Sequence, residues 1–306
     1  MSTHYLQWTD SVPAECRGGA VTIGNFDGVH RGHQQILAEV CRQGRPALAV
    51  TFDPHPLQIL RPEQFQPLVT TVSRRADLLH EYGADHVLIL ATTPALLQLT
   101  AREFFDQVLC RRLDARVIVE GPNFGFGRNR EGNVEILKAY CHEAGRKLVV
   151  VPPLEWEGKP ISSSRVRNEL LAGAVSKASV LLGRPFSLEG IVGKGQARGK
   201  SLGFPTANLE GITTLVPGDG VYAVRVHYQG KTWPGAANIG PNPTFGEQAR
   251  KIEVHIIDFA GDLYGQSLNV EFIERIRNIR PFASAQELVE QLRRDVDQAR
   301  QLVAGS

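Results

Sequence analysis

The period of apolar and polar positions changes twice along the chain. Over the first 182 residues, near-continuous apolar runs alternate with runs of helical spacing. "AVTIG" (20–24), "PALAVTF" (46–52), "DHVLILA" (85–91), "ARVIVEG" (115–121) and "KLVVVPPL" (147–154) read as buried strands. Between them, "QQILAEVCRQG" (34–44), "SRRADLLHEYG" (73–83), "TAREFFDQVLCRRL" (100–113) and "NVEILKAYCHEAG" (133–145) read as helices. Ile36, Leu37 and Val40 share one face of the first helix and Gly44 ends it, while Thr100 with Glu103 makes a capping box for the third. Strands without polar alternation belong to a parallel sheet covered on both faces. The expectation for residues 1–182 is therefore a doubly wound α/β domain.

Near Gly183 the pattern shortens. Residues 183–283 are rich in glycine and proline, and "GVYAVRVHY", "KIEVHIIDF" and "LNVEFIERI" alternate with a period of two. Such runs, bounded by turn residues, predict a small antiparallel β-barrel. The tail "SAQELVEQLRRDVDQARQLV" returns to helical spacing, with Ser284 and Glu287 as its cap. Residues 183–306 thus read as a second domain, a barrel followed by a C-terminal helix, with no internal repeat and no low-complexity linker.

Composition narrows the class without choosing a function. A chain of 306 residues has room for two ordinary domains, and 42% hydrophobic with 22% charged residues is a globular balance. A net charge of +2 is too small to argue for nucleic acid or an anionic membrane. No apolar run reaches membrane-spanning length, and "MSTHYLQWTD" has neither the charged start nor the apolar centre of a signal peptide. Cys16, Cys41, Cys110 and Cys141 are scattered with no C-x-x-C, so a reducing cytoplasm is the expected compartment.

The unusual residues collect where strands end. His30 and His33 follow the first strand, "FDPHP" (52–56) the second, "GPNFGFGRNREGN" (121–133) the fourth, and "ISSSRVRNELLAG" (161–173) opens a helix after the last. In an open α/β sheet, ligands bind beyond the carboxyl ends of the strands. A strand-to-helix turn with glycines at 24, 28 and 32 presents unpaired helix N–H groups, which favour an anion such as phosphate. Two imidazoles add donors without a fixed charge. A helical metal pair is more usually spaced i, i+4, so phosphate chemistry is the better reading. Taken singly, "DPHP" also fits a plain turn and "SSS" a plain N-cap.

"GKGQARGKS" (193–201) imitates a P-loop and is not one. The first glycine of G-x-x-x-x-G-K-[ST] would have to stand at Lys194, and Pro205 in "LGFPTAN" would disrupt the helix that must follow. The glycines still suit an anion-binding nest.

With these residues in view, "GNFDGVHRGHQ" (24–34) resembles the HxGH signature of the nucleotidyltransferase superfamily, and "SSSRVR" (162–167) its second nucleotide-binding motif. Together with "FDPHP" and "NFGFG", the set is similar to the adenylyltransferase half of the bacterial bifunctional riboflavin kinase/FAD synthetases. "GKGQARGKSLGFPTANL", "GVYAV", "AANIGPNPTF", "KIEVHIIDF" and "DLYG" resemble the riboflavin kinase half, so the likeness runs from about residue 19 to 300.

The resemblance implies phosphorylation of riboflavin by ATP, then transfer of AMP from a second ATP to FMN, giving FAD and pyrophosphate. It implies His30 and His33 as the phosphate-stabilising pair. Gly24, Phe26, Gly32, Ser163, Ser164 and Arg167 would be nucleotide-binding, and Asn123 a flavin or phosphate contact. In the kinase half it implies Glu253 as base, Thr206 and Asn208 as Mg²⁺ ligands, and Gly193, Gly195, Gly199 and Lys200 as the phosphate-binding turn. Ile279 departs from the family's acidic residue at that place. Small-molecule substrates are implied, with no nucleic acid, no membrane and no obligate protein partner. Two rivals remain at this stage: an adenylyltransferase for another phosphorylated acceptor, such as phosphopantetheine, and a nucleic-acid-binding barrel.

Overall fold

The computed structural model describes residues 1–194, 202–242 and 247–305. They divide into two compact units, Met1–Ser163 and Ser164–Ser306.

The first unit is built on a parallel sheet of six strands in the order β1-β4-β3-β2-β5-β6. These strands are β1 (Ser2–Leu6), β2 (Ala20–Ile23), β3 (Ala47–Asp53), β4 (His86–Ala91), β5 (Val117–Glu120) and β6 (Lys147–Val150). The central strands are buried on both faces for a simple reason of parity. Val21, Ile23, Leu48, Val50, Leu88 and Leu90 join one core with Phe104, Phe105, Val108 and Leu109. The residues between them, Ala49, Val87 and Ile89, meet Leu37, Leu78 and Leu79 on the other side. β1 is an edge strand of alternating burial; a pattern so short and half-polar gave no strand signal.

Helix α1 (Arg31–Gln43) joins β2 to β3, α2 (Pro56–Leu60) and α3 (Val72–Glu81) precede β4, and α6 (Val134–Glu143) precedes β6. Between β4 and β5 lie α4 (Pro94–Leu97) and α5 (Ala101–Glu103). The Thr100–Glu103 capping box forms as expected. The rest of that expected α-helix differs: Phe104–Arg112 winds as a π-helix, with Phe104, Phe105, Val108 and Leu109 buried.

Connections run from β2 toward β4 on one side and return across to β5 on the other. β2 and β5 therefore flank the point where strand order reverses, which is where an open α/β sheet offers its crevice.

Near the end of the first unit, two short strands, β7 (Glu155–Trp156) and β8 (Lys159–Pro160), pair antiparallel. The second unit begins with most of α7 (Ser163–Leu171) and with α8 (Val175–Leu182). Val175, Ala178, Leu181 and Leu182 of α8 are buried. Six antiparallel strands then close a barrel in the order β10-β13-β12-β11-β14-β9. They are β9 (Phe186–Gly193), β10 (Ala207–Glu210), β11 (Gly220–Tyr228), β12 (Lys231–Asn242), β13 (Glu247–Ile256) and β14 (Ser267–Arg277). Helix α9 (Ala285–Ala304) is capped by Ser284, whose side chain accepts from Glu287 N. It covers one outer side of the barrel through Ala299, packed with Ala223 and Ile257. Arg277 anchors it, donating to the buried Asp295 carboxylate at 2.7 Å.

Candidate active sites

The first site grows from the exit of β2. Residues 24–30 must turn from strand to helix in one loop, and they do so with Phe26, Gly28 and Val29 at φ of 47°, 79° and 38°. A β-branched residue at positive φ is strained, and such strain persists only where surroundings over-determine it. Here the fully buried Asp27 carboxylate does that, accepting from Val69 N at 2.8 Å and Thr70 N at 3.2 Å. Gly28 N in turn donates to the Thr70 hydroxyl at 3.2 Å.

The turn delivers His30 to the N-cap of α1, where its Nδ1 accepts from His33 N at 3.3 Å. One helix N–H that the sequence left open for an anion is therefore taken by His30 itself. The bond has a useful consequence: a neutral His30 accepting at Nδ1 carries its proton on Nε2, as a donor. The His33 ring stacks on His30 with centroids 3.6 Å apart, and Phe26 meets His33 edge-on at 5.1 Å. Gly32 gives this stack room, since a Cβ there would crowd the His30 ring at 3.2 Å. Enclosure, then the neighbouring His30 and Arg75, hold His33 well below the ordinary histidine range, so it is neutral at neutral pH.

Ser163 joins this turn, its hydroxyl donating to the Asp27 carbonyl at 2.8 Å. The structure thus brings Gly24, Phe26, His30, Gly32, His33 and Ser163 together. Ser164, exposed, and Arg167, half-buried, follow on α7 and group with the second unit. Asn123 is exposed in the loop after β5, its carbonyl accepting from Arg130 at 3.2 Å. In "FDPHP", His55 is buried as the N-cap of α2, accepting from Leu57 N at 3.1 Å, which is the plain-turn reading of that motif.

Arg75 and Glu120 are charged, buried and carry no signal that marked them as site residues in the sequence. Arg75 of α3 is 1% exposed and donates to the Asn25 carbonyl at 2.7 Å and the Phe52 carbonyl at 3.1 Å. It stands three and four places before Leu78 and Leu79, at the rim of the apolar face of its helix. Glu120 ends β5 and is 4% exposed. The β2–β5 ladder stops at Val21 and Ile118; beyond it Ile23 N donates to the Glu120 carboxylate at 2.7 Å. Burial pushes that carboxyl well above its ordinary value of 4.5, against the weaker pull of Ile23 N–H and the Thr22 hydroxyl.

A carboxyl raised on folding binds its proton more tightly in the native state. Its penalty is absent below the ordinary value and grows as pH rises toward the native pKa. Glu120→Gln keeps an acceptor for Ile23 N–H and cannot ionise. Its stability advantage over the wild type, measured by urea unfolding at a series of pH values from 4 upward, should therefore widen with pH; a constant difference would contradict the buried-acid description.

The second site lies along one row of the barrel. Strand pairing sets Gly193 opposite Asn208, Asn208 opposite Glu253, and Glu253 opposite Asn238. Residues directly opposite in an antiparallel pair share a face. Their chain neighbours Ala207, Val254 and Ala237 are buried in the barrel, so the row of Asn208, Glu253 and Asn238 stands on its outer face. The period-two reading of "KIEVHIID" holds: Ile252, Val254 and Ile256 are buried, Glu253 and His255 half-buried.

His255 Nδ1 lies 2.8 Å from the Pro205 carbonyl, which ties the stretch containing the exposed Thr206 to β13. Gly193 leaves room for Glu210, whose carboxylate would clash with a Cβ there. Ile279 fills the space beside Gly240, where φ is 134°. Gly195, Gly199 and Lys200 lie outside the described residues. Asn238 was not singled out from the sequence; it is the one polar side chain between Ala237 and Ile239.

Comparison with known proteins follows the same division. A family model described as FAD synthetase matches residues 12–165, and one described as riboflavin kinase matches residues 182–303. The bifunctional riboflavin kinase/FMN adenylyltransferase of Pseudomonas fluorescens is 41% identical over 297 residues, covering 95% of each chain. Its counterpart in Escherichia coli K12 is 37% identical over 289 residues, covering 93% of this chain and 92% of its own. A solved structure described as a macrolide-efflux protein from Streptococcus pneumoniae superposes with a TM-score of 0.88 at 33% identity, covering 97% of this chain and 98% of that one. Among the described residues, no helix is long and apolar enough to cross a membrane.

Proposed function

The chain belongs to the bifunctional riboflavin kinase/FMN adenylyltransferase family, and from that premise we propose that its two activities reside in the two sites just described. The protein phosphorylates riboflavin with ATP to FMN and transfers AMP from ATP to FMN, releasing pyrophosphate. The observation that carries the division is that the histidine turn and the Asn208–Glu253–Asn238 row fall on different compact units, each matched by a different family model.

In AMP transfer, an FMN phosphate oxygen attacks the α-phosphorus as the bond to the β-phosphate bridging oxygen breaks. Negative charge gathers on the bridging and equatorial oxygens, and donors already in place there lower the barrier. His30, with its proton on Nε2, and the neutral His33 supply such donors without a fixed charge. Gly24, Phe26 and Gly32 shape the nucleotide's approach. Ser163, its proton committed to Asp27, ties the start of α7 to the turn. Ser164 and Arg167 contact the ATP phosphates, and Asn123 the flavin or its phosphate.

In the kinase site, the ribityl hydroxyl attacks the γ-phosphorus and ADP leaves. Glu253, which stands in the row between Asn208 and Asn238, takes the hydroxyl proton. Gly193, Gly195, Gly199 and Lys200 take the phosphate-binding role that the family resemblance implies. The Thr206 hydroxyl and Asn208 carboxamide oxygen are hard oxygen donors, a set that fits Mg²⁺. When bound with ATP, Mg²⁺ neutralises phosphate charge.

The partners are small molecules, with neither nucleic acid, membrane nor an obligate protein required. The four cysteines are all free thiols, in keeping with a reducing cytoplasm.

Fragments test the division. A fragment from Ser164 keeps α8, whose apolar face packs on β9 and β14; one from Gly183 loses it. The longer fragment should make FMN and no FAD, and the shorter should unfold at lower urea. A folded Ser164–Ser306 fragment without kinase activity would contradict the assignment.

A further inference from the structure

We propose that Arg75 is a positioning residue for AMP transfer, clasping the exits of β2 and β3 from within the protein and holding the turn that carries the histidine pair. This rests on the reading of the β2–β5 crevice as the AMP-transfer site.

The geometry is that of a brace. One arm of the guanidinium donates to the Asn25 carbonyl in the histidine turn, and the other to the Phe52 carbonyl near the end of β3. Those two carbonyls belong to adjacent strand exits, β2 and β3 pairing along Ala20–Ile23. Arginine suits the task because its planar fork reaches two acceptors at fixed angles. At 1% exposure it is also among the largest fully buried side chains of the chain, and its Nε has no hydrogen-bond partner among the described residues. A cation this deep is costly unless something uses it.

The charged and titratable groups around it are Asp27 of the turn, Asp53 at the end of β3 and Tyr5 of β1, each of which favours the cation. His33 stands on the other side of the balance. Burial, His30 and then Arg75 disfavour its protonated form. The brace thus does two things for one imidazole: it fixes the turn that carries the ring, and it opposes the ring's protonation. A buried positive charge near the crevice also favours phosphate.

Two variants of the full-length protein separate brace from charge. Arg75→Lys keeps the charge and loses the fork; Arg75→Gln keeps an N–H donor and loses the charge. Removing the positive charge relieves His33, so its protonation and the acid limb of FAD synthesis should move to higher pH in Arg75→Gln and stay near wild type in Arg75→Lys. FAD formation at neutral pH should fall by about tenfold in the lysine variant and more in the glutamine variant, in line with loss of hydrogen bonds to a charged group. FMN formation by the same chains should be unchanged. NMR titration of the His33 ring reports the shift directly, even where FAD formation is too slow to measure. An unmoved His33 titration in Arg75→Gln, or undiminished FAD formation in both variants, would overturn the proposal. If His33→Ala also left FAD formation intact, the crevice reading itself would fall; if only the Arg75 variants were silent, Arg75 alone would be excluded.

Discussion

Replacing His33 by alanine should lower FAD formation by on the order of a hundredfold or more, the usual effect of losing one preorganised donor, and leave FMN formation nearly intact. The loss has two parts. In the proposed mechanism the variant removes a neutral donor at the point where charge gathers, and it removes the ring stacked 3.6 Å from His30. The backbone N–H of residue 33 survives the change, so the His30 cap on α1 is retained and the helix should still form. Separate assays of riboflavin with ATP and of FMN with ATP check the result. Equal loss of both activities in a folded variant would contradict two separate sites.

Glu253→Gln should lower FMN formation by about a hundredfold to ten-thousandfold, the range for a positioned general base. Glutamine keeps the size of the side chain and its place in the row between Asn208 and Asn238, and lacks the basicity. Riboflavin affinity, followed by flavin fluorescence, should change little, because the defect lies in proton transfer. FAD synthesis from supplied FMN should persist. Near-normal FMN formation would return Glu253 to the role of a solvated strand residue.

What the sequence disclosed, and what it hid, follows from the range of the interactions concerned. The central strands were legible because burial on both faces leaves uninterrupted apolar runs, and the caps at Thr100 and Ser284 because they are local. β1 was missed since an edge strand needs only alternate apolar positions, and β12 since Pro234, Gly235, Ala236 and Ala237 stand where β-branched residues would mark a strand. The change of pattern near Gly183 marks where strands begin, whereas the compact units divide after Ser163 because α8 packs on barrel strands; no local period reveals which neighbour a helix chooses.

The sites divide the same way. The histidine motif was visible as residues, and its phosphate reading came from a strand-to-helix turn. That His30 caps α1 through Nδ1, and so keeps its proton on Nε2, depends on a ring orientation that Gly32 permits. Arg75 and Glu120 stayed hidden for another reason. Charged residues at the rim of an apolar pattern read as solvated until the fold closes over them.

The proposed division puts two consecutive reactions at separate sites of one chain. The most direct measurement is a chromatographic time course of the full-length protein with riboflavin and Mg-ATP, run in parallel for wild type, His33→Ala and Glu253→Gln. FMN followed by FAD is expected in the wild type, FMN accumulating without FAD in His33→Ala, and neither product in quantity in Glu253→Gln unless FMN is supplied. Failure of the wild type to make FMN, or loss of the same step in both variants, would contradict the division.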